Sequence, residues 1–311
     1  MKKFLLGKTN IEVSEIGFGV LPIGPHQRDL SVAEGAEILS YALDKGINFL
    51  DTAQYYLTYP HIKEALKGRR PIICSKSLAE DYLGMKTAVE EAINSFGYVD
   101  IFLLHEVRTE DFEKRQSAWK YLKEAKEKGL VKAIGVSTHH VDVVFKFAEV
   151  EECDIIFPLI NYQALGVRNG DGPGTREDME AAIKQASLNG KGIFTMKAFG
   201  GGPLVSDYNK CLDYNRSIDG SSSTMIGLAS KSDIDDLFEY LDGKSIRPDL
   251  SQKIMHIEKG SCLGCGACIS RCANGAISFS KVDGLAEIDY SKCMTCGYCV
   301  GACPVRAIIL Y

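Results

Sequence analysis

Eight of the eleven cysteines of this chain lie between residues 262 and 303. Cys262, Cys265, Cys268 and Cys272 are spaced C-x2-C-x2-C-x3-C. Cys293, Cys296, Cys299 and Cys303 repeat that spacing 31 residues later and end in Cys303-Pro304. Three close thiolates with a fourth at a distance suit a four-iron, four-sulfur cluster. Zinc ribbons instead use two C-x2-C pairs set far apart, and a disulfide framework belongs to oxidising compartments. The repeat therefore commits the end of the chain to a small unit built around two [4Fe-4S] clusters. Cys74, Cys153 and Cys211 stand in or beside apolar runs and read as small buried hydrophobes.

At 311 residues the chain is long for one core and short for three, so one large and one small domain are expected. Hydrophobic residues make up 45% and charged residues 25%, the balance of a soluble globular protein. A net charge of −5 with mixed signs gives no basic footprint for nucleic acid. No apolar run reaches the length of a membrane span. The apolar start is interrupted by Gly7-Lys8-Thr9-Asn10 before a signal peptide forms. A reducing cytoplasm, which keeps thiolates available to iron, is the expected location.

Over residues 1–242, short β-rich runs alternate with helical stretches. Strands are expected at residues 16–20, 48–52, 72–76, 101–105, 133–137, 154–160, 192–199 and 223–229. Helices are expected at 32–45, started by a Ser31/Glu34 capping box, at 111–128 and 175–188, each followed by a glycine, and at 233–241, capped by Ser232. The alternation predicts parallel βαβ units. Eight strands in this length predict a (β/α)8 TIM barrel rather than a doubly wound sheet. Ahead of them, residues 3–6 and 11–14 flank a Gly/Asn turn and read as a hairpin. Residues 243–254, with Gly243 and Arg247-Pro248, read as a linker. Residues 255–311 read as a two-fold repeat of strand, cysteine run and strand, with strands at 255–258, 276–280, 286–289 and 307–310. That is a small α+β domain whose folding draws on cluster binding.

Three ionisable residues close apolar strands: Asp51 after Ile47-Asn48-Phe49-Leu50, Lys76 after Ile72-Ile73-Cys74-Ser75, and His105 after Ile101-Phe102-Leu103-Leu104. Tyr55 and Tyr56 follow Asp51 closely. In a barrel the strand C-termini converge on the catalytic face. The hairpin start KKFLLGKTNIEVSEIGFG and the segments GINFLDTAQYY, PIICSK, DIFLLH and AIGVS occur in the order found in the aldo-keto reductases. Over residues 2–240 the chain resembles that family, and its C-terminal repeat resembles the two-cluster ferredoxins. The resemblance implies a TIM barrel capped below by the hairpin, followed by a bacterial ferredoxin-like domain. It implies a catalytic tetrad of Asp51, Tyr56, Lys76 and His105, the family's spacing selecting Tyr56 over Tyr55. Lys76 is expected to lower the Tyr56 pKa, with Tyr56 protonating the alkoxide formed by hydride addition. In two-cluster ferredoxins the fourth cysteine of each run binds the other cluster. Cys262, Cys265, Cys268 and Cys303 are therefore expected on one cluster, and Cys293, Cys296, Cys299 and Cys272 on the other. Gly264, Gly266, Gly297 and Ala267 leave room for backbone N–H groups near the sulfurs.

The resemblance also places a nicotinamide dinucleotide, NAD(P)H, at the loops after the seventh and eighth strands. Gly200, Gly201 and Gly202 suit close approach to a pyrophosphate. Ser137 matches the carboxamide-binding serine, and Met196, Lys197, Gly227, Ser230 and Lys231 complete the expected cofactor-binding residues. Several positions depart from the family: Thr138 for Asn, Pro158 for Gln, Met196 for Tyr, Lys197 for Ser, Ala229 for Arg and Leu237 for Asn. The leading reading is an oxidoreductase that reduces a small-molecule carbonyl, or oxidises an alcohol, with the clusters relaying electrons to a redox protein partner. Hydride transfer moves two electrons and a cluster passes one, so a flavin in the barrel mouth is an alternative. Others are an electron-transfer or redox-sensing module on a degenerate barrel, and clusters that only staple the C-terminus. The glycine-rich segment 166–174, with Arg168 and Asp171, reads as a substrate loop or lid.

Overall fold

The structure, a computed structural model, describes residues 1–249, 254–272, 274–293 and 298–310. The chain enters as a hairpin of β1 (Lys3–Leu5) and β2 (Glu12–Ser14), in register from Lys3↔Ser14 to Leu5↔Glu12. Leu6, Ile11 and Val13 are buried with Phe49, Ile101 and Ile155 in one apolar layer, so the hairpin seals the bottom of a barrel. Gly7 turns at φ +53°, and a Cβ there would lie 2.4 Å from the Gly192 nitrogen. Both the conformation and the close approach require glycine.

Eight parallel strands close the barrel: β3 (Ile16–Gly19), β4 (Phe49–Asp51), β5 (Ile72–Ser77), β6 (Ile101–Leu104), β7 (Ala133–Thr138), β8 (Ile155–Pro158), and, after a small hairpin of β9 (Arg168–Asn169) and β10 (Gly172–Pro173), β11 (Gly192–Thr195) and β12 (Ser223–Gly227). The ring runs in chain order, with β12 pairing back onto β3. Helices α1 (Val32–Asp44), α2 (Tyr59–Leu66), α3 (Tyr82–Phe96), α4 (Asp111–Lys114), α5 (Gln116–Glu127), α6 (Val141–Ala148), α7 (Arg176–Leu188), α8 (Tyr208–Arg216) and α9 (Lys231–Leu241) alternate with these strands. Covered on both faces, the strands are near-continuous apolar runs, as parallel strands must be.

Some expectations shift. The capping box of α1 forms as read: Glu34 N–H donates to Ser31 Oγ, and Ser31 N–H donates to Glu34 Oε2 at 3.0 Å. The helix expected over 111–128 is broken at Arg115, which turns its guanidinium inward. The cap of α9 is Ser230, whose Oγ accepts from Asp233 N–H at 3.0 Å; Ser232 lies inside the first turn. The strand expected over 192–199 stops at Thr195, because Lys197 takes φ +65° and turns the chain, its carbonyl accepting from Gly200 N–H at 2.7 Å. The linker is no free tether at its start. Asn209 pins Ile246 through both backbone groups, at 2.9 and 3.0 Å.

The small domain has β13 (Met255–Ile257), α10 (Ala267–Arg271) and β14 (Ile277–Phe279), then β15 (Ala286–Ile288), α11 (Tyr298–Ala302) and β16 (Ile308–Leu310), so each element of the second half follows its counterpart by 31 residues. The halves interlock: β13 pairs with β16, and β14 with β15, both antiparallel. Ala276 N–H donates to Cys272 Sγ and Ala307 N–H to Cys303 Sγ, each at 3.2 Å, so the repeat extends to the bonding of the fourth sulfur.

Gly135 in β7 faces the Ile155 carbonyl, and a Cβ there would fall 1.8 Å from that oxygen. No side-chain rotation relieves a clash between backbones. Gly135→Ala is expected to destabilise the barrel by about 2–4 kcal/mol, read as a lowered midpoint in denaturant unfolding.

Candidate active site

Strands β4 and β5 are neighbours, and Asp51, the last residue of β4, meets Lys76, the last but one of β5. Lys76 is 1% exposed, and its Nζ donates to Asp51 Oδ1 at 2.7 Å and to the Thr52 carbonyl at 2.6 Å. The chain after β4 turns back so that the Tyr56 ring lies over that ammonium, 5.0 Å from Nζ to the ring centroid. His105, just past β6, brings Nε2 to 3.3 Å from Tyr56 Oη. The structure thus brings Asp51, Tyr56, Lys76 and His105 into one cluster at the C-terminal end of the barrel.

The charges follow from burial and neighbours. Burial works against the Lys76 charge, but Asp51 outweighs it and leaves the ammonium held above its ordinary range. Burial pushes the Tyr56 phenol up to about 12, with Lys76 pulling against it. That corrects the expectation of a lowered Tyr56 pKa: Lys76 is spent on Asp51 and Thr52 and sits over the ring face, so desolvation wins. Burial, with Lys76, Arg115 and Lys197 nearby, holds His105 well below the ordinary imidazole range, so the ring is neutral. Its Nδ1 is buried without a partner. An orphaned acceptor is tolerated better than an orphaned N–H, which puts the proton on Nε2. Nε2–H then donates to Tyr56 Oη and leaves the Tyr56 hydroxyl proton free to donate.

Arg115 is the positioning residue that the sequence did not disclose. It is 4% exposed and donates to the carbonyls of Ser77 at 2.8 Å, Ala79 at 3.2 Å and His105 at 2.7 Å. It ties the ends of β5 and β6 together beneath His105. A single arginine in a charged helical stretch carries no signal of this.

Two hollows meet at Tyr56, Met196 and Lys197. One is a groove lined by Gly201, Gly202, Gly227 and Ala229, together with Asp233 and Asp236. The other is a cavity lined by Tyr56, Lys76, His105 and Ser137, with Val305, Arg306 and Ile309 reaching it from the small domain. Gly200 lies beside the groove, with its carbonyl toward Arg306. Ser137 Oγ accepts from Glu106 N–H at 2.9 Å, which leaves its own proton to donate. Thr138 Oγ1 is spent on the Val107 carbonyl at 2.7 Å. Ser230 and Lys231 are not brought into the groove. Ser230 caps α9, and Lys231 Nζ pairs with Glu37 on the surface.

The aldo/keto reductase family profile matches residues 15–241. The chain belongs to the aldo/keto reductase family. A 4Fe-4S dicluster domain matches residues 254–304, so this aldo/keto reductase carries an iron–sulfur domain behind its barrel. It is 22% identical over 216 residues to an uncharacterised oxidoreductase of Bacillus subtilis, covering 63% of this chain and 68% of that one. It is 25% identical over 211 residues to methylglyoxal reductase DkgA of Yersinia pestis, covering 63% and 70%. In fold it resembles a holo aldo-keto reductase of Bacillus halodurans, with a TM-score of 0.65, 18% identity and coverage of 79% of this chain and 92% of that one.

The cysteines of the iron–sulfur domain suit clusters. Those described are free thiols, and Cys262, Cys268, Cys272, Cys293, Cys299 and Cys303 gather in one small apolar cluster. Cys265 is exposed beside them. Cys296 and Gly297 lie outside the described residues. Among the described residues no three metal-ligating side chains surround a single ion; ligands of a cubane bind separate iron atoms and need not. Gly264 and Gly266 hold φ of +63° and +73° in the first cysteine run.

His139, beside Lys197 and Arg306, is depressed like His105, by burial first and then by those cations. Below pH 6.5 the unfolded chain takes up protons that the folded rings refuse. Unfolding free energy is therefore expected to fall as pH drops from 7 to 5, by up to about 1.4 kcal/mol per unit for each ring. His105→Gln should flatten that slope in denaturant titrations.

Proposed function

We propose that this aldo/keto reductase moves a hydride between NAD(P)H and a small-molecule carbonyl or alcohol, with Tyr56 as general acid and base. The observation that carries the reading is the buried Lys76–Asp51 pair beside a tyrosine and a neutral histidine, where a substrate cavity and a glycine-lined groove meet. NAD(P)H, when bound, supplies or takes up the hydride. The bare backbone of Gly201 and Gly202, both at positive φ, leaves the groove open to a phosphate chain. The free Ser137 proton can hold an amide oxygen.

The rest is done by the chain's own side chains. His105 Nε2–H orients the Tyr56 oxygen and the carbonyl oxygen together. Tyr56 releases its proton only to a strong base, which an alkoxide is and a resting carbonyl is not. As that proton leaves, the Lys76 ammonium stabilises the phenolate from beneath. The name methylglyoxal reductase, borne by one relative, agrees with a small carbonyl substrate. The clusters are proposed to relay electrons to a redox partner protein. In support, Val305 and Arg306 line the cavity two and three residues after Cys303. The flavin reading draws no support from the site or from the relatives.

Tyr56→Phe is expected to lower kcat/KM by about 10²–10⁴-fold while leaving the fold and nucleotide binding intact. Near-full activity in that variant would remove Tyr56 from the mechanism. For the relay, anaerobic EPR and optical spectra should show the clusters changing redox state on addition of NAD(P)H or substrate. Unchanged spectra during turnover would make the clusters structural.

A further inference from the structure

The cavity beside Tyr56 is built from both domains, and two cations line it with no ion pair to either among the described residues. Lys197 comes from the turn after β11. Arg306 comes from the iron–sulfur domain, three residues past Cys303, and its guanidinium lies against Gly166, where a Cβ would fall 1.6 Å from Nη2. Among the described residues the Lys197 ammonium makes no hydrogen bond or ion pair, and the Arg306 guanidinium makes one long hydrogen bond, Nη1 to the Gly200 carbonyl at 3.5 Å. Of the carboxylates at the cavity wall, Glu106 pairs with Arg108 at 3.1 Å and reaches Lys197 only through space, and Glu258 pairs with His26 at 3.2 Å. His105 and His139 are neutral and bring no negative charge. Burial first, and then the Arg306 guanidinium, bring the Lys197 ammonium down to about 8, with Glu106 pulling against them.

The backbone adds an independent argument. Glu106, Lys197 and Arg306 all line this cavity and hold φ of +52°, +65° and +57°, a region that residues with a Cβ rarely occupy. The repeat shows that Arg306 is not demanded by the fold of its domain. Its counterpart 31 residues earlier is Gly275, at φ +60° in the same turn. Glycine serves that turn without strain. The second half instead carries a long cation, directed at the barrel.

We propose that Lys197 and Arg306 form a subsite for an oxyanion on the substrate, so that the molecule reduced or oxidised beside Tyr56 is a carbonyl or hydroxy compound bearing a carboxylate. The guanidinium fork takes the two oxygens and the ammonium faces them, while the reacting carbon sits at Tyr56 and His105. Lys197 lines both hollows but Arg306 lines only the cavity, so an anion held by the two together belongs to the substrate rather than to the nucleotide phosphates. The proposal rests on the hydride-transfer reading above.

The test compares oxo acids of increasing chain length with their methyl esters, using holoenzyme with clusters intact. Arg306→Gly is the decisive variant, because glycine suits the backbone there; Arg306→Lys and Lys197→Gln accompany it. The wild type is expected to favour one acid over its ester by at least about tenfold in kcat/KM. That ratio should fall toward one in Arg306→Gly and Lys197→Gln and be partly restored in Arg306→Lys. Equal use of acid and ester by the wild type, or a ratio that survives both charge removals, overturns the subsite. So does weakened NAD(P)H binding in Arg306→Gly, by fluorescence titration, with the ratio unchanged, since the anion then belongs to the nucleotide. If the wild type turns over neither acid nor ester, hydride transfer fails on its own account. Calorimetric titration of the same oxo acids then decides the subsite: binding to wild type and not to Arg306→Gly supports it, and no binding to wild type overturns it.

Discussion

An ammonium with 1% of its surface exposed has to be matched where it lies, and Asp51 at 2.7 Å matches Lys76. Desolvating two such charges costs several kcal/mol per ion and is repaid only where geometry and further hydrogen bonds are good. The barrel meets that condition because β4 and β5 are neighbours in register, and the Thr52 carbonyl takes a second ammonium proton. A hydrophobic pair would fill the space at lower cost. The pair is therefore better explained by chemistry than by stability. It polarises the Tyr56 ring above it, helps to keep His105 neutral, and limits what the neighbouring strand ends can do.

The iron–sulfur domain acts on this site through its position. Its two halves exchange strands, so neither folds around its own cysteines alone. Its contacts with the barrel lie on the catalytic face. Glu258 pairs with His26, whose Nε2 donates to the Tyr55 carbonyl at 2.7 Å and whose ring stacks on the Tyr55 ring at 4.5 Å. The adjacent tyrosines thus divide the work. Tyr56 points into the catalytic cluster, and Tyr55 forms part of the surface on which the second domain rests. The cavity beside Tyr56 has a barrel floor and an iron–sulfur-domain wall.

Several residues lining the cavity stand in conformations that propensity alone disfavours. Glu106, Lys197 and Arg306 all have positive φ without being glycine. Strain gathered around one hollow is characteristic of sites where function, not packing, selects the residue. The Gly275/Arg306 contrast is the clearest instance, because the repeat supplies an unstrained reference inside the same chain.

Much of this was legible in the one-dimensional chain. Alternating apolar runs specified eight barrel strands, since parallel strands buried on both faces have little choice of residue. The spacing of the cysteines specified the repeat, because three ligands of one cluster must lie within a few residues of each other. Asp51, Lys76 and His105 were visible because an ionisable group at the end of an apolar run is conspicuous. What tertiary structure decided is whatever depends on distance between remote segments. Only the fold shows that Arg115 breaks a helix to tie β5 to β6, that Lys231 turns away to Glu37, and that desolvation overrides Lys76 at Tyr56. Only the docking of the two domains brings Arg306 to Lys197, 109 residues apart in the chain. Sequence records which groups are present and how local runs repeat. Desolvation and the meeting of charges depend on what surrounds a group in three dimensions, and that exists only once the chain has folded.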